Sequence, residues 1–91
     1  MVTTMVSMEA QIREIAAEIL CVDEEALTPQ ALLIEDLGMD SLDRVELTMA
    51  LEERLLDDEP IGEPVAEEWR TVQDVVDTVI EMAEKQSKVR K

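Results

Sequence analysis

The sequence predicts an all-α domain, a small four-helix bundle with three main helices and one short one. Three observations lead there. A length of 91 residues suffices for one modest core. Apolar residues recur at three- and four-residue steps in three stretches, which open near Met8, Leu42 and Val72. All three prolines and both glycines lie between those stretches, where helices must end.

The first helix is expected from about Ser7, which can cap it, to near Cys21, with residues 1–6 as a loose extension. Met8, Ile12, Ile15, Ala16, Ile19 and Leu20 form its core-facing stripe. Cys21 is the only cysteine, so no disulfide closes within the chain. It reads as a small buried residue, since free cysteine is commonly interior and no basic neighbour is at hand to activate the thiol.

A long connection follows, residues 22–39. Its aliphatics (Val22, Leu27, Leu32, Leu33, Ile34 and Leu37) imply that it packs across the helices. Pro29 rules out a continuous helix and suits the start of a short turn. Gly38 adopts positive φ at little cost, so a tight bend is expected there.

The stretch Glu35–Leu55 carries the most information. Asp40 suits the N-cap of the second helix, and Asp43 lies three residues on, near the helix's positive end. Ser41 then sits on the first turn, where backbone N–H groups lack helical partners. At about 100° per residue, Leu47, Leu51 and Leu55 form one apolar stripe. Leu42, Val45 and Met49 form another, nearly opposite. One stripe can face the core, and so small a domain has no second core for the other. The second stripe therefore lies beneath a neighbouring loop or, framed by Glu46, Glu52 and Glu53, forms an exposed docking strip. Ser41 marks its N-terminal end, and a helix N-terminus is a ready site for a phosphate ester.

Beyond Leu55, two prolines and Gly62 define a loop, and Pro64 suits the first position of a short helix running to about Glu68. Trp69 is the only aromatic residue. It either plugs one end of the core or lines the mouth of a cargo pocket. Thr71 caps the last helix with Asp74 three residues on, and Val72, Val75, Val76, Val79, Ile80 and Ala83 form its stripe. The compact domain is expected over residues 7–84, followed by a fraying basic tail at 85–91.

Charge narrows the function. The chain has 23 acidic and 8 basic residues, a net −15. All 23 acids fall in residues 1–84 against four arginines, a balance of −19. Such a surface repels nucleic acid and anionic lipid and steers basic partners. No apolar run is long enough to span a bilayer, and the N-terminus lacks a signal-peptide layout, so a soluble cytoplasmic monomer is the expectation. With no histidine and one cysteine, neither a zinc site nor a Cys–His pair can form within this chain, and the acid clusters lack EF-hand spacing. No metal site and no catalytic residue is assigned. The protein reads as a non-enzyme.

The run Glu35-Asp36-Leu37-Gly38-x-Asp40-Ser41-Leu42-Asp43-x-Val45-Glu46-Leu47-x-Met49-Ala50-Leu51-Glu52-Glu53 resembles the attachment region of acyl carrier proteins, of the stand-alone bacterial fatty-acid type. The resemblance covers about residues 7–84, with Leu33 standing where that family often has phenylalanine. It is weakest over 56–69, where the loop is about two residues longer than the family's and Gly62 and Pro64 disturb its usual short acidic helix. It implies a bundle of the acyl-carrier type and a 4′-phosphopantetheine arm on Ser41, attached by a phosphopantetheinyl transferase. It also implies that Asp40, Leu42, Asp43, Val45, Glu46, Met49, Glu52 and Glu53 meet acyl-transfer and fatty-acid-synthesis enzymes through their basic docking patches. Two alternatives share the residues: a carrier for a polyketide or other specialised pathway, and an unmodified acidic helical adaptor.

Overall fold

The computed structural model describes residues 4–89, with side chains from 8 to 86. Four helices follow in order: α1, Thr4–Leu20; α2, Ser41–Leu55; α3, Glu63–Glu67; and α4, Val72–Val89. A single 3-10 turn, Glu24–Ala26, interrupts the α1–α2 connection. The described residues contain no strand. Their one isolated β-bridge joins Leu32 to Thr71. The architecture is the all-α bundle that the periodicity predicts, three main helices and one short one.

α1 packs against both α2 and α4, and α2 touches α4 less extensively. Every fully buried described side chain is apolar, and Ile12, Leu47, Leu51, Leu56 and Val79 are completely sealed from solvent. Each such side chain contributes about 1.5–3 kcal/mol relative to exposure. On α2 the buried residues are Leu47 and Leu51, so the stripe assigned to the core is the one the core takes.

The α1–α2 connection is pinned to the start of α4. Leu33 N donates to Arg70 O at 2.8 Å, Val72 N to Ala31 O at 3.1 Å and Gln73 N to Pro29 O at 3.0 Å. These bonds satisfy backbone groups that a buried loop would otherwise orphan. Leu27, Leu33 and Leu37 are buried as expected, and Ala31 N closes the turn at Pro29 by donating to Thr28 O at 3.0 Å. The chain then bends at Gly38, whose φ is +73°, and enters α2.

Trp69 plugs the core. It is 5% exposed, and its indole Nε1 donates to Thr78 Oγ1 at 3.0 Å. The hydroxyl in turn donates to Asp74 O at 3.0 Å, so the one polar atom of the indole is satisfied by the helix it covers.

Five expectations need correction. α1 opens at Thr4 rather than Ser7, since no proline or glycine in 4–7 stops the helix from extending upstream. Thus residues 4–6 are helical, and residues 1–3 lie outside the described region. Cys21 is exposed, not buried. It ends α1 in the left-handed region at φ +58°, letting Val22 N reach back to Ala17 O at 3.1 Å. Ile34 points outward, 58% exposed, because Leu33 and Leu37 take the inward positions of that turn. α3 spans Glu63–Glu67, one residue earlier than expected, with Gly62 at the cap and Pro64 in the first turn. α4 continues to Val89 instead of fraying after Glu84. Gln86 helps hold that extension, since its Nε2 donates to Leu56 O and to Glu59 Oε1, both at 2.6 Å.

Candidate functional site

The site is built at the N-terminus of α2. Asp40 is extended, and its Oδ1 accepts from Asp43 N at 2.8 Å. Asp43 Oδ2 accepts from Asp40 N at 3.3 Å. This reciprocal pair is a capping box with aspartate in the position glutamate usually takes, and it ties down the first turn. Ser41 is the first residue inside the helix. It is exposed, and its hydroxyl has no partner among the described residues. A free hydroxyl on a fixed turn is an accessible point of attachment.

Along α2 the second apolar stripe is solvent-facing. Leu42 is 64% exposed, Val45 47% and Met49 60%. No loop covers them. Glu46 and Glu53 are exposed beside the strip. Glu52 differs: it is half-buried, and its Oε2 accepts from Ile61 N at 2.8 Å, anchoring the loop that leads into α3. Asp40 and Asp43 likewise spend oxygens on the cap, so three of the five carboxylates near the strip are held in place by backbone bonds.

A second feature was not anticipated from the sequence. Between α2 and α3 opens a cleft of about 400 Å³, lined on the α2 side by Ser41, Arg44, Val45, Thr48 and Glu52. Pro60, Gly62, Glu63, Ala66 and Glu67 form the opposite wall. Ser41 thus sits on two borders at once, at the head of the exposed strip and on the rim of this cleft. The steps of three, four and four residues from Ser41 through Arg44 and Thr48 to Glu52 were the available sequence signal. The opposite wall gave none, because it depends on how the Asp57–Gly62 segment folds back. Asp57 and Asp58 both take left-handed conformations there, at φ +54° and +66°, and Asp58 N donates to Glu52 O at 2.8 Å. Trp69 does not line the cleft.

Residues 10–79 match the family described as phosphopantetheine attachment site. A curated relative, the acyl carrier protein of Syntrophobacter fumaroxidans, is 49% identical over 71 residues, which is 78% of this chain and 85% of that one. The chain belongs to the acyl carrier family. Its prosthetic group is therefore 4′-phosphopantetheine, and members of the family act as carriers rather than catalysts. The local structure fits such a group. An unpartnered hydroxyl stands at the positive end of a capped helix, beside an open cleft and away from the sealed core. Among the described residues, no cluster of carboxylates or cysteine is arranged to hold a metal ion, and no helix is long and apolar enough to cross a membrane.

Proposed function

We propose that Ser41 is the attachment residue, and that the protein presents acyl intermediates to the enzymes of fatty-acid synthesis in the cytoplasm. The observation that carries this reading is the free Ser41 hydroxyl on the capped first turn of α2, within the stretch that matches the attachment family. During loading, Ser41 Oγ attacks the phosphorus of coenzyme A that bears the pantetheine. A bond from Oγ to phosphorus forms, the pyrophosphate link breaks, and adenosine 3′,5′-bisphosphate leaves. The transferase takes up the hydroxyl proton, since no base among the described residues bonds to that oxygen. When bound, the group supplies a thiol that holds the acyl cargo as a thioester.

The chain's own residues do the rest. The Asp40–Asp43 box fixes the direction in which Ser41 projects. Leu42, Val45 and Met49 offer partners an apolar strip that nothing in the described chain covers. Glu46 and Glu53, with the free oxygens of Asp40, Asp43 and Glu52, would pair with basic residues of the transferase and the acyl-transfer enzymes. A strip of three apolar side chains framed by charge suits brief encounters rather than a permanent complex. The core seals the inner face of α2 through Leu47 and Leu51, and the adjoining cleft leaves open space beside the attachment point.

Intact mass spectrometry after incubation with coenzyme A and a transferase tests the assignment. The wild type should gain one arm and Ser41→Ala none, with unchanged circular dichroism. A gain that persists in Ser41→Ala would move the attachment elsewhere.

A further inference from the structure

Arg44 stands alone in its surroundings. It is the only basic residue lining the α2–α3 cleft, whose other charged residues are Glu52, Glu63 and Glu67. It is half-buried, yet among the described residues no carboxylate lies within ion-pair distance of it and no group accepts a hydrogen bond from its guanidinium. Arg54 pairs with Glu18 at 3.2 Å on another part of the surface. Arg13 and Arg70 likewise have no carboxylate within ion-pair distance among the described residues, and what sets Arg44 apart is its place on the cleft beside Ser41. Ser41 and Arg44 are three residues apart on one helix, so their Cβ atoms are about 5–6 Å apart and both project onto the cleft.

We infer that the guanidinium of Arg44 pairs with the phosphodiester of the arm on Ser41 and holds the root of the arm over the α2–α3 cleft. The inference rests on the assignment of Ser41 as the attachment residue. A phosphodiester there meets the carboxylates of Asp40 and Asp43 at the cap and those of Glu52, Glu63 and Glu67 across the cleft, and Arg44 is the one cation on the cleft that can compensate its charge. Arg44 lies on the flank that draws it toward the cleft. A planar guanidinium can meet two phosphate oxygens at once, which fixes orientation as well as compensating charge. The consequence is directional. With its root drawn to the Arg44–Thr48 flank, the arm leaves Leu42 and Met49, which do not line the cleft, uncovered for a partner, while Val45 is shared between strip and cleft. Arg44 is a positioning residue in this account, acting on the arm and not on the cargo.

The test uses the full chain with and without its arm, and no acyl group. Intact mass first establishes one arm on the wild type and none on Ser41→Ala. The Arg44 Nε–H resonance, assigned through its own backbone, should shift and exchange more slowly once the arm is attached. The phosphorus resonance of Arg44→Gln should move away from the wild-type position toward that of the same phosphodiester in the urea-unfolded modified protein, with Arg44→Lys between them. High salt should shrink both differences. An attached arm together with an unmoved Arg44 Nε–H signal and coincident phosphorus resonances overturns the pairing while leaving the Ser41 assignment intact. Absence of the arm from Ser41 overturns both. If Arg44→Gln fails to fold, the wild-type comparison of Nε–H with and without the arm decides alone.

Discussion

Asp40 and Asp43 hold each other's backbone, with Oδ1 of the first accepting from the amide of the second at 2.8 Å and Oδ2 of the second returning the bond at 3.3 Å. The cap is thus separable from the residue it positions. Asp40→Ala should cost about 0.5–2 kcal/mol of stability, whereas Asp40→Asn, an equally good cap, should cost little. Ser41→Ala should lie within about 0.5 kcal/mol of wild type, because that hydroxyl bonds nothing among the described residues. Urea unfolding followed by circular dichroism measures all three. A loss at Ser41 as large as at Asp40→Ala would mean that the serine, not the aspartate, holds the turn.

Gln86 ties the late part of α4 to the loop after α2, and its two acceptors define a sharp comparison. Gln86→Ala removes both bonds and should cost about 1 kcal/mol, or about 4–8 °C in Tm for a domain of this size. Gln86→Glu should be worse. It replaces the donor with a carboxylate facing the Leu56 carbonyl and the Glu59 carboxylate, so lost bonding is joined by repulsion. Thermal unfolding of the two variants side by side checks the order, and a Glu variant as stable as wild type would remove the clamp from the account.

Asp74 gives the fold an acid-sensitive joint. Its Oδ2 accepts from Arg70 N at 2.9 Å and Thr71 N at 3.1 Å, and those backbone bonds, the Arg70 bond foremost, hold its pKa below the ordinary 3.8. The folded value lies under the unfolded one, so the unfolded state takes up the proton first as pH falls. The contribution of Asp74 is complete above the unfolded value and disappears as pH drops through the folded one. Asp74→Asn removes that titration. The stability gap between wild type and Asp74→Asn should therefore be constant near neutrality and narrow below about pH 4. Denaturant titrations across the acid range measure it, and a gap that widens on acidification would reverse the sign.

Local chemistry was legible in the sequence, and long-range closure was not. The cap at Asp40, the bend at Gly38 and the division of α2 between Leu47–Leu51 and the Leu42–Val45–Met49 strip each depend on residues within two helical turns. Such features follow from periodicity and capping alone. Cys21 misled because its residue type favours the interior while its position, one past the end of α1, demands a left-handed turn that points it outward. The length of α4 was hidden for a different reason. The partners of Gln86 lie 30 and 27 residues away, and no local pattern in residues 85–89 announces them. The α2–α3 cleft shares that origin, since one wall follows a helical repeat and the other depends on where Ile61 meets Glu52.

The carboxylates around the strip make a last prediction about recognition. Residues 1–84 carry a balance of −19, so any basic partner is attracted from a distance. The question is whether the face containing Ser41 adds orientation to that attraction. Glu46 and Glu53 are exposed beside Leu42, Val45 and Met49, whereas Glu9 and Glu14 lie on α1. Replacing either pair with lysine changes net charge by the same amount, so the comparison separates the place of the charge from its total. Association of the transferase with Glu46→Lys/Glu53→Lys should slow by roughly tenfold or more at low salt, while Glu9→Lys/Glu14→Lys should slow it far less. Higher salt should bring the rates together, because screening shortens the reach of exposed charges to about 8–10 Å. Stopped-flow association at two ionic strengths measures this, with circular dichroism confirming that both variants fold. Equal slowing would show that overall charge governs the encounter, and that the α2 face contributes apolar contact alone.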